Sequence, residues 1–411
     1  MRVGPSQEEI RRSNLGALLR SVHLHGAMSR ADLTTSLGLN RSTIGALTAD
    51  LAAAGLVSEE VPQEQRGRAG RPSLVVRPES EQVYVYAFAV EVDRIVAARI
   101  GLGGVLLDRH EAARGRGEQD ATAVVAPIAE FVRRMHKAAS EQSPDARLIG
   151  SGAAVSAMVR REDGFVRLGP QLGWVDQPLG DAIGEVIGSA NGTSPVTVAV
   201  RNNADLAALA EHARGAAVGC DNVVYLYGDA GVGGGIIAAG RPVTGHGGYG
   251  GEVGHMVVNP VGKPCSCGSH GCWETEIGEH ALLAAAGRNP SSGRDGILAV
   301  IDAASRGDNS AQAAVRQVGD WLGFGVANLV NIFNPEMVIF GGTLREVYLA
   351  SAAQVRSRLN RNGLPACREH VRLRTPQLGD DAALLGAAEL AFEPLFADPL
   401  ADPADPLPAP G

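Results

Sequence analysis

Residues 251–274 read Gly251-Glu252-Val253-Gly254-His255, then nine residues, then Cys265-Ser266-Cys267-Gly268-Ser269-His270-Gly271-Cys272-Trp273-Glu274. Three thiols and an imidazole at this spacing match the Cys3His composition of closed structural zinc sites, with His255, Cys265, Cys267 and Cys272 as the ligands. His270 is a rival fourth ligand. Gly268 and Gly271 let a short loop turn tightly around an ion. Thiols buried only for packing fit poorly in so polar a segment. Four protein ligands leave no open position for water, which speaks for a structural zinc rather than a catalytic one.

Working outward, a chain of 411 residues has room for two or three folded units. Hydrophobic residues make up 45% and charged residues 20%, a globular rather than a disordered balance. The start, MRVGPSQEEIRRSN, lacks the apolar stretch of a signal peptide, and no membrane-length apolar run follows, so a cytoplasmic protein is expected. Five cysteines, three of them clustered, suit metal ligation in a reducing compartment better than a disulfide framework. The net charge of −8 argues against a surface that coats polyanions. Residues 1–75 are the exception, with nine arginines against seven acidic residues and Arg66, Arg68 and Arg71 close together.

In that segment, Leu15, Leu18, Leu19 and Val22 fall at helical spacing over residues 7–25. Ser29-Arg30-Ala31-Asp32 resembles a capping box opening a second helix, with Leu33 and Leu37 inward. Gly38-Leu39-Asn40 makes a turn, and Asn40 can cap a third helix carrying Ile44, Leu47 and Leu51. Leu56-Val57, a polar Gly/Pro-rich turn and Ser73-Leu74-Val75-Val76 then read as a hairpin. Three helices and a hairpin describe a winged helix-turn-helix; a helical cap or dimerisation module is the blander alternative.

After Pro78 apolar strands alternate with helices, an α/β architecture. Strands are expected within Val83 to Ile100, Leu148 to Val159, Val196 to Val200 and Val223 to Tyr227, and helices from Ala204 to Arg214 and Asn309 to Phe333. From Phe396 the Pro/Ala/Asp-rich tail is expected to be disordered.

These segments resemble the ROK family of repressors, open reading frames and kinases. The resemblance rests on Gly251-Glu252-Val253-Gly254-His255 with the cysteine spacing and Trp273-Glu274, and on Asn202-Asn203-Ala204-Asp205 beside that family's Asn-Asp-Ala-Asn. It rests also on Gly228-Asp229-Ala230-Gly231-Val232-Gly233-Gly234-Gly235 beside a phosphate-binding loop, Asn334 to Gly342, and Leu378 to Ala382. It implies a two-lobed, actin-like (ribonuclease H-like) ATPase-type domain over residues 79–395. In the family the histidine and cysteines bind zinc, and Glu252, His255 and Glu274, with Asn202 and Asn203, would contact a sugar.

The kinase pattern is broken in three places. The family's proton-accepting aspartate is Asn203 here, and an amide is no base. The first phosphate loop, Asp-x-Gly-Gly-Thr in kinases, is Phe88-Ala89-Val90-Glu91-Val92-Asp93-Arg94, with no glycine and with Glu91 near where a phosphate would lie. A Pro-Gly pair becomes Ser156-Ala157. The winged helix over residues 1–78 resembles the repressor branch, in which Arg41, Ser42 and Thr43 would meet base edges and Arg66, Arg68 and Arg71 on the wing a minor groove. The reading is therefore a sugar-responsive transcriptional regulator without kinase activity, most simply a repressor. It would bind double-stranded operator DNA and a sugar or sugar phosphate, as a homodimer or higher oligomer. A ROK hexokinase-type enzyme that kept a DNA-binding domain is the alternative.

Overall fold

Strand Val83–Val90 is apolar at every position, and the computed structural model gives the reason: it is buried on both faces. Val83, Val85, Ala87 and Ala89 enter one core, while Tyr84, Tyr86, Phe88 and Val90 enter another, as the two-residue period of a strand requires. The structure describes residues 4, 6–61, 73–116 and 122–401.

Two five-stranded sheets carry the two lobes, and they repeat one topology. In the first, an antiparallel meander of Val83–Val90, Arg94–Gly101 and Val105–Ala113 continues through Arg147–Val155 and Ala199–Asn202, both added parallel. The second is the meander Val223–Gly228, Val232–Ala238 and Arg241–Pro242, extended in parallel by Met337–Gly342 and Arg372–Arg374. The expected α/β, actin-like architecture is present, and the hairpins at residues 91–93 and 229–231 face each other across one cleft.

The expected strand over Val196 to Val200 lies later, at Ala199–Asn202. Val196 gives its N–H to the Gly184 carbonyl of the preceding helix, so the parallel ladder cannot start there.

The N-terminal helices form as their caps require. Ser6 and Glu9 make a capping box for Gln7–His25, Ser29 and Asp32 another for Arg30–Leu37, and Asn40 caps Arg41–Ala53. Strands Met28–Ser29, Val75–Pro78 and Val57–Glu60 form a three-stranded sheet beside them. The core of this module is continuous with that of the first lobe: Leu15, Leu18, Leu19 and Val22 share a cluster with Val85, Ala387, Ala391 and Phe392. The expected disordered tail starts too early, because helix Ala382–Ala397 runs through Phe396. Phe396 is buried, with its ring 4.9 Å from that of His23, so docking against the N-terminal helix holds it in place. Among the described residues no helix is long and apolar enough to cross a membrane.

Candidate functional site

The cysteine loop folds back on itself because Val258 and Asn259 both donate to the Gly271 carbonyl, and Cys265 donates to that of Ser269. Gly271 sits at φ +67°, and a Cβ there would lie 1.6 Å from the Asn259 carbonyl oxygen, so no other residue fits. Trp273, fully buried, anchors the exit of the loop by donating its indole N–H to the Trp321 carbonyl at 2.9 Å.

This folding gathers His255, Cys265, Cys267 and Cys272, with one ligand atom from each lying within 4.8 Å of the others. The sulfurs of Cys267 and Cys272 are 3.7 Å apart, and Cys265 Sγ is 3.7 Å from His255 Nδ1. A tetrahedral ion with sulfur ligands at about 2.3 Å would separate them by roughly 3.8 Å, so the four side chains fit a metal ion. His270, the rival ligand, is exposed on the outer turn and does not join them.

Glu274 borders this cluster. Its Oε1 is 2.9 Å from Cys265 Sγ and 3.7 Å from His255 Nδ1, and its Oε2 accepts from the Val232 N–H at 3.3 Å. The carboxylate thus joins the cysteine loop to the second hairpin. Glu252, next to this group, has its carboxyl raised by burial and by Glu274, against the pull of His255.

The expected sugar ligands on the opposite wall stand at the start of helix Asn203–Arg214. Asn202 is its N-cap: the side-chain oxygen accepts from the Ala204 N–H at 2.8 Å and the amide donates to the Ala157 carbonyl at 3.0 Å. Its first task is therefore structural. Asn203 is buried and donates to Ser156 Oγ at 2.8 Å, which pairs two of the three departures from the kinase pattern. Asp205, overlooked in the sequence, is pushed up to about 8 by burial and the neighbouring Glu252, while Arg201 pulls it down. The signal was present: where the family reads Asn-Asp-Ala-Asn, this chain reads Asn-Asn-Ala-Asp, an acid displaced by two positions. Residues two apart on a helix do not share a face, so Asp205 does not stand in for the missing base.

The other end of the cleft is a cavity of about 370 Å³ between the two hairpins. Glu91 is buried there and takes a two-point contact from Arg94, at 2.6 and 3.0 Å. Burial raises its carboxyl, against the pull of Arg94. Arg116 crosses from the first lobe to bond Glu279 at 2.8 Å and Asp93 at 3.1 Å, with Asp229 at 3.8 Å. Burial, Glu91 and Glu279 push Asp229 up to about 7. Asp229 Oδ2 and Glu279 Oε1 have no hydrogen-bond partner among the described residues. An added polyphosphate would meet this surplus of carboxylates. The sequence pointed to Glu91 but not to Arg116, which lies in an unremarkable polar stretch.

At the N-terminal module Arg41 and Ser42 are exposed at the start of helix Arg41–Ala53. Ser42 donates its hydroxyl to Asn40 Oδ1 at 2.7 Å, and the Thr43 N–H donates to the same atom at 2.8 Å. Arg66, Arg68 and Arg71 lie outside the described residues.

Comparison with known proteins gives four findings. The ROK family profile matches residues 87–393. A xylose repressor of Bacillus spizizenii is 29% identical over 389 residues, covering 94% of this chain and 97% of the repressor. Among solved structures, a ROK family transcriptional regulator described as a homolog of the E. coli MLC protein superposes with a TM-score of 0.75 at 25% identity, covering 95% of this chain and 97% of that one. A ROK family glucokinase from Streptomyces griseus, in complex with glucose and AMPPNP, reaches a TM-score of 0.61 at 28% identity over 75% of this chain and 99% of its own. The similarity to the regulator thus includes the N-terminal module, whereas the glucokinase covers a smaller part of the chain.

Proposed function

This chain belongs to the ROK family, and from that premise we propose that it is a sugar-responsive, DNA-binding transcriptional regulator, a repressor of carbohydrate-related genes, without kinase activity. The observation that carries the reading is the contrast within the cleft: the sugar-side set of Asn203, Glu252, His255 and Glu274 is retained, while Arg94 and Arg116 close the nucleotide side on their own carboxylates. The overall similarity to a xylose repressor and to a ROK regulator supports it.

In this reading zinc is held by His255, Cys265, Cys267 and Cys272 in a structural role. With Nδ1 facing the metal cluster, Nε2 of His255 stays available to a sugar hydroxyl, and Glu252 and Glu274 accept from others. Asn203 can donate and accept but removes no proton. Asn202, engaged as a cap, holds the helix end rather than acting as the main ligand. Operator DNA is read by Arg41, Ser42 and Thr43, with Arg66, Arg68 and Arg71 on the wing against minor groove and phosphates. A homodimer would pair two such modules on two half-sites. The sugar acts by linkage, through its different affinity for two lobe arrangements.

The test joins three measurements on the purified full chain. Calorimetry with D-xylose and D-glucose should detect binding of one of them, a coupled assay with ATP should find no phosphate transfer, and that sugar should weaken binding to a duplex selected from a random pool. Turnover above background would overturn the reading. On the same duplex, Arg41→Ala should remove about 1–3 kcal/mol of discrimination at one guanine, as expected for a two-point contact.

A further inference from the structure

The helix that opens at Asn203 ends at Arg214, about 18 Å away at 1.5 Å per residue. Its far end reaches the DNA-binding module through two intermediaries, Glu389 and Gly103. Arg214 donates through Nε to Glu389 on helix Ala382–Ala397 and through Nη1 to the Gly103 carbonyl at 3.1 Å. Both oxygens of Glu389 lie 3.2 Å from Nε2 of His23, in the last turn of helix Gln7–His25. Nδ1 of the same ring accepts the Gly103 N–H at 2.9 Å. A backbone N–H can only donate, so Nδ1 carries the lone pair and Nε2 the hydrogen given to the carboxylate. His23 is therefore neutral, in one tautomer, with every polar atom of the ring used.

These side chains sit in the core, with His23 and Glu389 both buried. Burial pulls His23 below its ordinary value against the pull of Glu389. Burial works to raise the Glu389 carboxyl, but the bonds from His23 and Arg214 bring it below its ordinary range. The ring of His23 lies 4.7 Å from that of Phe392, and Arg20 pairs with Glu393 at 2.7 Å. The two domain helices also pack backbone against backbone, because a Cβ at Gly386 would stand 1.9 Å from the Leu206 carbonyl oxygen of the site helix. Apolar contacts tolerate sliding; a buried polar network with fixed donors and acceptors does not.

We propose that Arg214, Glu389 and His23 form a clasp that fixes the orientation of the DNA-binding helices on the sugar domain, and that the site helix delivers sugar binding to them through it. The second half rests on the sugar-responsive reading above. Sequence separation hides the arrangement, since His23 and Glu389 are 366 positions apart.

Hydrogen exchange on the full chain tests both halves. His23→Leu keeps apolar volume but orphans Glu389 and the Gly103 N–H. It should speed exchange in helix Gln7–His25 at least about tenfold, while helix Asn309–Phe333 stays within about twofold. His23→Gln should restore most of the protection, because its amide can accept from Gly103 and donate to Glu389. Arg214→Met, remote from the first helix, should act in the same direction and stands in if His23→Leu does not fold. For the second half, whichever of D-xylose or D-glucose binds by calorimetry should change exchange in the first helix of the wild type. His23→Leu should bind that sugar within about threefold yet lose the response. Unchanged first-helix exchange in both disrupting variants, or equal exchange in His23→Leu and His23→Gln, would overturn the clasp. A bound sugar that leaves the wild-type first helix unmoved, or a response kept in His23→Leu, would overturn the relay. If neither sugar binds, it is the sugar-responsive reading that fails, and the variants still decide whether the clasp orients the module.

Discussion

The two ends of the cleft share the second-lobe hairpin at residues 229–231, yet they satisfy their polar groups in different ways. At the sugar end, Asn203 donates to Ser156 Oγ, His255 turns Nδ1 toward the cysteines, and no arginine or lysine pairs with Glu252 among the described residues. At the other end Glu91, Asp93 and Glu279 pair with Arg94 and Arg116, although Asp229 Oδ2 and Glu279 Oε1 keep no hydrogen-bond partner among the described residues. The second end thereby completes much of its own charge pairing, leaving less for a ligand to supply. Arg116 stands where such completion counts most, because the Glu279 side chain is fully buried and a buried carboxylate without a partner is costly.

Four experiments break or sharpen that contrast. The largest effect is expected at the sugar end, where Cys272→Ser should abolish stoichiometric zinc in metal analysis. Because a freed loop no longer orients His255 and Glu274, sugar affinity by calorimetry should fall by about 10- to 100-fold with it. A full equivalent of zinc in the variant would remove Cys272 from the ligand set.

Next comes the nucleotide end. Arg116→Met removes the cation from Asp93 and Glu279, and urea unfolding should record a loss of about 2–3 kcal/mol, below the full value for a buried pair because the guanidinium is partly exposed. An unchanged midpoint would mean that this end is not held by its ion pairs.

A smaller effect concerns Asp205. Its carboxyl is raised from 3.8 to about 8 in the folded chain, so its contribution to stability is fully present below pH 4 and is lost as pH rises through 8. Asp205→Asn should therefore flatten the fall in stability between pH 5 and pH 8, measured by unfolding at a series of pH values. An unaltered slope would place the titration elsewhere. The smallest effect is a null: Asn203→Asp restores a base but not the first phosphate loop, so a coupled assay should find no phosphate transfer. Turnover in that variant would show that the nucleotide end still works.

Much of this is legible in the sequence. His255 and the three cysteines announce a cluster that could hold a metal because ligation needs those atom types at short sequence range, and Ser29, Asp32 and Asn40 announce helix starts because capping is local. The amide at Asn203 was legible for the same reason, as a change of atom type at a fixed place in a motif. Ambiguities remained where the chemistry offered equivalents. His255 and His270 are equal as ligands on paper, and only the fold of the loop leaves one exposed and aims the other at the sulfurs. The start of the strand before Asn202 was misjudged because apolar residues alone do not reveal that Val196 bonds a helix carbonyl.

The sequence by itself determined what is encoded over short range: the histidine and cysteines that gather into one cluster, the helix caps, and the alternating strands and helices. Tertiary structure alone decided which distant groups neutralise one another. Arg116 meets Glu279 across 163 positions, His23 meets Glu389 across 366, and Phe396 leaves the expected tail to pack beside His23. The physical reason is that a charge or a ring is defined locally by its own atoms, but its partner is chosen by burial, which only the folded chain establishes.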